Sequence, residues 1–570
     1  MPTIQINFED FQKLLGIKLP KETDELDEIL SYVKGEVTLF DGQEVHIEIK
    51  DSNRPDLWHV EGLARALRGF LGFEKGLKKY SVTGDSDVKV DVDSRLKNIR
   101  PYIACAVIKN VKLNDTIIRQ AMHLQDKLDQ TYGRRRRRAS IGLYNFSLIV
   151  PPLHYGVAKP SEASFVPLGL EEKMSLKEIL EKHPKGIEYG DIVRGHTVWP
   201  ILKDSEEKIL SFPPIINSNN LGKITESVQE VLIEVTGTGH ETVLNTLTTV
   251  AVSLADRGGQ IYSATVQYPY AELKRIITPQ LRTQTTQLDS KFVNKVLGFD
   301  LKTKEIVDLL QKARFGVGKI SENKVTVEIP CYRMDIMHSV DVIEDIAIAY
   351  GYNNIKPHWP QLPTIGSTSP QKRFNDLVRE IMIGLGFQEI LTFIMSNPET
   401  LFNKMNLKAE KVVEISNPKM LTFTCLRNWL LPSLMEFLSQ NTHVEYPQKV
   451  FETGYATIFD GREENKTKDI QKLACATTHA NANFTEAKAI LDALFLNLGL
   501  KCDIREGKHS SFIDGRIGKI LVRNREIGVI GEVHPRILEA WKLENPVSTF
   551  EIDLEKILQD LNGLSTSHKS

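Results

Sequence analysis

Four acidic residues in the segment YRMDIMHSVDVIEDIAIAYGY, residues 332–352, have the types and the spacing of a metal site. In a helix Asp341, Glu344 and Asp345 would lie at positions i, i+3 and i+4 and share one face. Asp335 precedes that face by about one turn. Carboxylates that converge without a nearby lysine or arginine repel one another, and Mg²⁺ relieves such repulsion through oxygen ligands. The alternative is a solvated first turn in which acids complement the helix dipole.

A second candidate site lies in VLIEVTG, residues 231–237, which alternates in the way a strand does. Leu232, Glu234 and Thr236 point to the same face of that strand. An acid and a hydroxyl on one face of an apolar strand predict a polar pocket if that face is buried. If the strand lies at a half-exposed sheet edge, the same side chains are simply in water.

The strongest basic run is RRRRR, from Arg134 to Arg138. Arginine binds phosphate through charge-assisted, often bidentate hydrogen bonds. The formal net charge of the chain is only −2, so any attraction to nucleic acid has to be local. The alternative is an exposed loop whose charge is balanced by acids elsewhere.

The 570 residues predict several domains that position these candidates, within a multidomain α/β (α+β) fold class. Residues 1–85 predict a small mixed α/β domain, and residues 86–271 a larger α/β domain that contains the strand and the basic run. Residues 272–357 predict a compact unit of short helices and strands that ends in the acidic helix. After a proline-rich crossing, residues 358–570 predict a further α/β domain.

The cysteines and the hydropathy pattern exclude several classes of protein. Five cysteines lie far apart with no CxxC pair, which argues against a zinc site of cysteines and fits a reducing compartment. The first residues carry no basic and apolar signal region, and no apolar run is long enough to span a bilayer. We therefore expect a cytoplasmic protein without a membrane segment.

One long motif carries a specific family resemblance. IPCYRMDIMHSVDVIEDIAIAYGYNNI is similar to a signature of the beta chain of phenylalanyl-tRNA synthetase, with P-x-x-R-x-D-I, D-x-x-E-D and A-I-A-Y-G-Y-N-N-I intact. The resemblance covers nearly the whole chain, and its length indicates the archaeal and eukaryotic cytosolic type. Further segments that resemble the family are NRPDLWHVEGLARAL, LSFPPIINS, VTGTG, EISNPKM, LRNWLLPSL, FETG and IGEVHP.

The resemblance implies a particular fold and assembly. It implies an N-terminal mixed domain, an α/β editing domain that also contacts tRNA, a small winged-helix-like metal-binding domain, and a C-terminal class II synthetase-like antiparallel-sheet domain. The chain would pair with an alpha subunit in an α2β2 tetramer that attaches phenylalanine to tRNA(Phe) at the expense of ATP. It further implies a Mg²⁺ site near the alpha contact, formed by Asp335, Asp341, Glu344 and Asp345.

The C-terminal domain resembles a class II catalytic domain that has lost its active site. Arg427 in LRNWLLPSL stands where such domains place an ATP-binding arginine, but Asn428 and Trp429 follow it instead of an acid. The last strand, in VSTFEIDL, carries no arginine. We therefore expect ATP and phenylalanine activation on the alpha subunit.

The resemblance also implies a hydrolytic editing pocket at Leu202, Ser211, Glu234 and Thr236, where some relatives have aspartate in place of Glu234. An apolar pocket built for phenylalanine rejects tyrosine by only about a hundredfold, so a second pocket that recognises the hydroxyl is needed. We expect Glu234 to take the tyrosine hydroxyl, and Ser211 and Thr236 to bind the amino acid or position water. Two rival hypotheses are a free-standing mischarged-tRNA hydrolase and a non-enzymatic nucleic-acid-binding scaffold.

Overall fold

The structure, a computed structural model, describes residues 2–270, 273–362 and 364–567, with side chains as far as residue 561. The chain forms two compact units, Met1–His358 and Trp359–Ser570, called here the first and second units. The predicted boundary between residues 271 and 272 lies outside the described residues. The division of the first unit into three domains stays a prediction.

A three-stranded antiparallel sheet and three helices begin the first unit. Helix α1 starts where the Asn7 side chain accepts a hydrogen bond from the Asp10 amide, and it ends at the left-handed Gly16. Its buried residues, Phe8, Phe11 and Leu15, recur at helical spacing. The elements are β1 (Thr3–Asn7), α1 (Phe8–Leu15), α2 (Thr23–Leu30), β2 (Gly35–Phe40), β3 (Glu44–Ile49) and α3 (Val60–Phe70), with strand order β1–β3–β2.

A ten-stranded sheet forms the centre of the first unit. Its order is β12–β11–β10–β7–β4–β14–β5–β13–β6, and β15 pairs with β14. Two short strands, β8 and β9, pair separately. The elements are β4 (Gly84–Val92), β5 (Tyr102–Lys109), α4 (Asp115–Gln130), β6 (Ala139–Asn145), β7 (Leu153–Ala158), β8 (Ser164–Phe165), β9 (Met174–Ser175), α5 (Leu176–Lys182), α6 (Pro184–Tyr189), β10 (Trp199–Lys203), β11 (Ile209–Phe212), β12 (Ile216–Asn217), α7 (Asn219–Gly222), β13 (Val231–Gly237), α8 (His240–Asp256), β14 (Gln260–Tyr270) and β15 (Leu273–Thr278).

Strand β13 lies between β5 and β6, so it is an interior strand and not an edge. Its alternating residues enter two different cores: Val231, Ile233 and Val235 lie in one and Leu232 in the other. The predicted alternation is confirmed. The alternative in which Glu234 and Thr236 are in water is wrong, because sheet neighbours on both sides and a core on each face enclose the strand.

The last part of the first unit contains the acidic helix. A three-stranded antiparallel sheet, in the order β16–β18–β17, packs with three helices around one core. The elements are β16 (Gln284–Asp289), α9 (Ser290–Leu297), α10 (Thr303–Lys312), β17 (Gly316–Ser321), β18 (Lys324–Ile329) and α11 (Ser339–Tyr350). Helix α11 buries Val342, Ile343 and Ile346, which fixes the direction of its acidic residues.

The second unit is built on a seven-stranded sheet in the order β19–β22–β23–β27–β26–β25–β24. All neighbours are antiparallel except β19 and β22. The elements are α12 (Pro370–Gly384), β19 (Gln388–Glu389), β20 (Met395–Ser396), β21 (Cys425–Leu426), α13 (Leu431–Gln440), β22 (Gln448–Phe459), β23 (Thr467–Thr478), α14 (Phe484–Asn497), β24 (Asp503–Glu506), β25 (Phe512–Val522), β26 (Arg525–Val533), α15 (Pro535–Ala540), β27 (Val547–Asp553) and α16 (Leu554–Ser567). No helix in the described ranges combines the length and the apolar character that crossing a membrane requires.

Candidate active site

A cavity of about 480 Å³ lies beside strand β13 and is called here the β13 cavity. Its wall is largely aliphatic and proline-rich, and a few polar side chains reach it. The apolar lining includes Ile141, Leu143, Phe212, Pro213 and Ile215, and the polar lining includes Arg136, Ser140, Ser211, Asn217 and Glu234. An apolar pocket with a small number of placed polar groups is the usual form of a small-ligand site.

Glu234 is the most unusual residue of the β13 cavity, because its carboxyl is 3% exposed. The Tyr144 hydroxyl donates a hydrogen bond of 2.9 Å to Oε2. Among the described residues, Oε1 has no hydrogen-bond partner. Burial raises the pKa of Glu234 to about 7, although the Tyr144 hydrogen bond and the Arg100 guanidinium act in the opposite direction. One carboxyl oxygen is therefore held by Tyr144, and the other is buried without a partner among the described residues.

Ser211 brings a second unsatisfied group to the same cavity. It lies on β11, opposite Asn217 on β12 and Leu202 on β10. No hydrogen bond of ordinary geometry reaches its buried hydroxyl among the described residues, although burial raises the pKa of Tyr144 and the nearby Ser211 hydroxyl acts to lower it. Leu202 is fully buried in the core with Tyr144 and does not line the cavity. Of the four residues predicted for editing, the structure thus places Ser211 and Glu234 on the cavity, with Leu202 behind them.

Thr236, the fourth predicted residue, is hydrogen-bonded to a buried arginine. Its Oγ1 accepts a 2.9 Å hydrogen bond from Arg100 Nε, and its carbonyl accepts one of 2.5 Å from Nη2. Arg100 also donates to Ser140 Oγ at 2.9 Å and to the Arg136 carbonyl at 2.9 Å. Thr236 therefore fixes a cation behind the cavity wall and does not offer a free hydroxyl.

Sequence reasoning missed four residues that shape the cavity: Arg100, Gly142, Tyr144 and Asn217. Gly142 is opposite Glu234 in the pairing of β6 with β13, and Tyr144 is opposite Leu232. A Cβ atom on Gly142 would overlap the Tyr144 hydroxyl and lie 2.5 Å from Glu234 Oε2. A glycine inside the apolar segment SIGLYNF was the available signal, since it marks a close approach.

The basic run divides into one structural arginine and four exposed ones. Arg136 is buried, with Nε 3.0 Å from Asp129 Oδ2 and Nη1 donating to the carbonyls of Pro214 and Ile215. Its guanidinium also lies 4.4 Å from the centre of the Tyr189 ring. The other four, Arg134, Arg135, Arg137 and Arg138, are exposed. Arg136 holds a wall of the β13 cavity, so the run is not uniformly available to a ligand.

The acidic cluster is organised by arginine. Arg333 Nη2 lies 2.6 Å from Asp335 Oδ2 and 2.6 Å from Asp345 Oδ2, and Nε donates to Asp335 Oδ1 at 2.8 Å. Arg54 lies 3.8 Å from both carboxylates and forms a bidentate pair with Asp56. The premise that these acids converge without a nearby arginine or lysine is wrong, because Arg333 stands two residues before Asp335 and folds onto it.

The other two acids point elsewhere. Asp341 Oδ2 accepts hydrogen bonds of 2.7 Å from the amides of Met337 and His338, which caps α11. Glu344 Oε1 lies 2.5 Å from Lys34 Nζ in a half-exposed ion pair. Within the part of the chain that the structure describes, no group of three or more His, Cys, Asp or Glu side chains could hold a metal ion. In this arrangement the four carboxylates do not converge as a set of oxygen ligands that fits Mg²⁺.

Arg427 is enclosed in the second unit. Its Nη2 lies 2.7 Å from Glu452 Oε1, Nη1 donates to Thr392 Oγ1 at 2.6 Å, and Nε donates to the Tyr455 carbonyl at 2.9 Å. The side chain is 1% exposed. Every nitrogen of the guanidinium has a partner within the chain, so none is free for a phosphate.

Comparison with known proteins gives matches to both units. The family description "tRNA synthetase B5 domain" matches residues 286–352, and "Phenylalanyl tRNA synthetase beta chain CLM domain" matches residues 355–554. The first match contains the acidic helix, and the second contains the antiparallel sheet.

Relatives of known name match along nearly the whole chain. The phenylalanine–tRNA ligase beta subunit of Pyrococcus furiosus is 46% identical over 98% of this chain and 100% of its own length. That of Pyrococcus horikoshii is 44% identical over the same shares. A crystal structure of an N-terminal fragment of the Pyrococcus horikoshii phenylalanyl-tRNA synthetase beta subunit is also similar, with a TM-score of 0.59, 40% identity, and coverage of 62% of this chain and 100% of the fragment. This chain therefore belongs to the phenylalanine–tRNA ligase beta-subunit family.

Proposed function

We propose that this chain supplies the proofreading site of a phenylalanine–tRNA ligase and that the β13 cavity hydrolyses Tyr-tRNA(Phe). The observation that carries the proposal is a pair of buried polar atoms that lack a hydrogen-bond partner among the described residues, Glu234 Oε1 and Ser211 Oγ, on two residues that line the largely apolar β13 cavity. Family membership favours a subunit that works with an alpha partner over a free-standing hydrolase or a non-enzymatic scaffold. The α2β2 assembly and the cytoplasmic location remain part of the proposal.

The unpaired atoms select against phenylalanine. The phenol of a tyrosyl ester donates its hydrogen to Glu234 Oε1 and accepts one from Ser211. A phenylalanyl ring leaves both groups buried without partners, which costs about 1–3 kcal/mol for each group. The polar groups of the β13 cavity therefore reject Phe-tRNA(Phe), whereas the aminoacylation site rejects tyrosine only weakly.

Hydrolysis needs little further chemistry from the chain. The oxygen of a water molecule bonds to the ester carbonyl carbon, and the bond to the terminal ribose oxygen breaks as that oxygen takes up a proton. We assign Glu234 and Ser211 to recognition, and Tyr144 to positioning the carboxyl through its 2.9 Å hydrogen bond. Arg100, enclosed by Thr236 and Ser140, supplies fixed positive charge behind the wall.

The direct test uses the chain copurified with its alpha subunit. Deacylation of Tyr-tRNA(Phe) and of Phe-tRNA(Phe) is measured side by side, with uncatalysed hydrolysis subtracted. We expect hydrolysis of the tyrosyl ester and at least about tenfold slower hydrolysis of the phenylalanyl ester, since one unsatisfied group costs about 1.4 kcal/mol or more. Equal rates on the two esters would contradict the proposal.

Filling the space at Gly142 is expected to close the site. In Gly142→Ala the new methyl group overlaps the Tyr144 hydroxyl and crowds Glu234. The displaced carboxyl should lose roughly one hydrogen bond to the substrate, so we expect deacylation of Tyr-tRNA(Phe) to fall about tenfold or more. The matched control is Gly156→Ala on β7 of the same sheet, where the nearest atom to a Cβ is 3.9 Å away. Aminoacylation by the assembly should not change in either variant, and an effect of Gly156→Ala equal to that of Gly142→Ala would argue for general damage to the sheet.

Contact with tRNA is proposed for the exposed arginines of the run, Arg134 to Arg138. Their guanidinium groups suit phosphate oxygens, and the near-neutral charge of the chain makes a local patch the natural contact. Arg136 is not included, because it is occupied by Asp129 and two carbonyls.

Magnesium remains a prediction that rests on the family resemblance alone. Asp335 and Asp345 are held by Arg333, and Asp341 is used as a helix cap. We therefore expect MgCl₂ to raise the Tm of the isolated chain no more than NaCl of equal ionic strength, because only a bound ion stabilises by mass action. A saturable, Mg²⁺-specific rise in Tm that is lost in both Asp341→Asn and Glu344→Gln would contradict this expectation and restore the predicted site.

The finer domain assignments are also proposals. We assign residues 272–357 to a small winged-helix-like domain and residues 358–570 to a class II synthetase-like domain without an active site. The enclosed Arg427 supports the second assignment, since its pair with Glu452 leaves this guanidinium unavailable to ATP. ATP and phenylalanine would then be bound by the alpha subunit.

A further inference from the structure

A second cleft, of about 440 Å³, lies on the other side of the arginine run and is called here the arginine cleft. Arg134 and Arg138 line it from the loop, and Glu241 and Asn245 line it from the start of α8. Trp58 is also part of its wall. None of the residues named here for this cleft takes part in the proposed hydrolysis of Tyr-tRNA(Phe).

The loop that carries the arginines has a fixed shape. Three consecutive residues, Arg134–Arg136, have left-handed φ values of 49°, 52° and 63°, a conformation that costs an L-residue about 1–2 kcal/mol. Hydrogen bonds to the loop carbonyls offset that cost: Arg100 donates to Arg136 at 2.9 Å, Thr238 Oγ1 to Arg137 at 3.0 Å, and the Thr238 amide to Arg138 at 3.1 Å. The exposed side chains therefore project from a backbone that is tied to the end of β13.

In the part of the chain that the structure describes, the charge of the arginine cleft is only partly compensated, since its lining has two arginines and one acid. Among the described residues, Arg136 is the one member of the run that pairs with an acid, Asp129. Arg134 and Arg138 face the cleft without an ion pair, and Glu241 is the single acid in its lining. Two guanidinium groups that converge on one cleft with no carboxylate bound are suited to phosphate oxygens.

We propose that the arginine cleft binds the phosphodiester backbone of the RNA strand whose end enters the β13 cavity. The identity of that RNA as tRNA rests on the proposed function, but the phosphate site does not. Arg136 lines the β13 cavity while Arg134 and Arg138 line the arginine cleft, so one rigid loop spans both. The cleft holds the strand by its phosphates, and the loop sets the distance from those phosphates to Glu234.

The test compares two double variants with the same change in charge on the same loop. Arg134→Gln/Arg138→Gln empties the cleft of positive charge, and Arg135→Gln/Arg137→Gln removes two exposed arginines that do not line it. Dissociation constants are measured for uncharged tRNA(Phe) and the copurified assembly over a range of salt concentrations. We expect the first double variant to bind at least about tenfold more weakly, with a salt dependence lowered by about 1.4, which corresponds to two lost contacts with a single strand. The second should weaken binding clearly less than the first, by about threefold at most, because Arg135 and Arg137 are exposed contacts that do not line the cleft.

Two further measurements test the sign of the charge effect on binding and the identity of the ligand. Glu241→Gln removes the acid from the cleft, so we expect it to tighten binding. With tRNA(Phe) lacking its last four nucleotides, the two double variants should bind alike, because the strand that reaches the cleft is gone. Inorganic phosphate at low millimolar concentration should not compete with full-length tRNA(Phe) for the wild-type assembly, which distinguishes a held RNA strand from a site for free phosphate.

Several results would overturn the inference. Equal weakening by both double variants would mean a diffuse charge effect, and weaker binding by Glu241→Gln would remove the electrostatic argument. Competition by low millimolar phosphate would reassign the cleft to a small anion. Because uncharged tRNA is used, absence of Tyr-tRNA(Phe) hydrolysis by the wild-type assembly would defeat the proofreading proposal and leave this measurement intact.

Discussion

Replacing Arg333 with methionine is expected to lower the free energy of unfolding by about 3–5 kcal/mol, the usual effect of removing one partner from a buried ion pair. Arg333 is 3% exposed at its side chain, and it contacts Asp335 and Asp345 at 2.6 Å each. Burial acts to raise the pKa of Asp335, but the Arg333 guanidinium, together with Arg54 and a backbone hydrogen bond, holds that pKa below its usual value. Without Arg333, two buried carboxylates would face each other, and the cation left among the described residues to compensate them would be Arg54, at 3.8 Å.

The matched control is Arg95→Met in the same unit. Arg95 pairs with Asp93 at the same N–O distance, 2.6 Å, but its side chain is 62% exposed, so we expect a loss below about 1 kcal/mol. Urea unfolding followed by circular dichroism measures both. Adding Asp335→Asn and Asp345→Asn to Arg333→Met should recover part of the loss, because the uncompensated charges are removed with the arginine. If Arg333→Met and Arg95→Met have equal effects, the buried network does not stabilise the fold.

This network also shows where sequence reasoning stopped. The spacing of the acids on α11 is a local property, and helical periodicity predicted it correctly. Which cation compensates them is decided by a turn that brings Arg333 back onto the helix and by Arg54, far away in the chain. Arg333 was visible in the motif, but spacing alone could not show that it folds onto Asp335 and Asp345.

Strand β13 likewise combines a local pattern that the sequence predicts with long-range contacts that it does not. Its alternation was predictable because side chains on a strand alternate whatever the neighbours are. Its burial was not, because β6 and β5 pair with it from positions roughly 90 to 130 residues earlier in the chain. For the same reason the resemblance identified Ser211 and Glu234, whereas two residues that meet β13 through strand pairing and a hydrogen bond to Glu234, Gly142 and Tyr144, were missed.

Removing the carboxyl of Glu234 is expected to have the largest effect on proofreading. In Glu234→Ala the tyrosine hydroxyl loses its acceptor, while the Tyr144 hydroxyl keeps Asn217 Oδ1 at 3.2 Å. One buried group left unpaired, at about 1–3 kcal/mol, predicts roughly a 5-fold to 150-fold slower deacylation of Tyr-tRNA(Phe). Hydrolysis of Phe-tRNA(Phe) should not fall, so the preference for the tyrosyl ester collapses. The control is Glu230→Ala, a half-exposed glutamate next to the same strand whose pair with Lys109 is 3.6 Å long.

The charge of Glu234 can be separated from its shape by pH. Because burial raises its pKa to about 7, the side chain passes from neutral to ionised between pH 6 and pH 8. The ionised form is the better acceptor for a phenol hydrogen, so the wild-type rate, corrected for uncatalysed hydrolysis, should rise with pH around a midpoint near 7. Glu234→Gln has no proton to lose and keeps nearly the same volume, so its rate should be low and flat over that range. A wild-type rate that falls with pH would mean that the neutral acid donates to the phenol oxygen, and an unchanged pH profile in Glu234→Gln would mean that another group titrates.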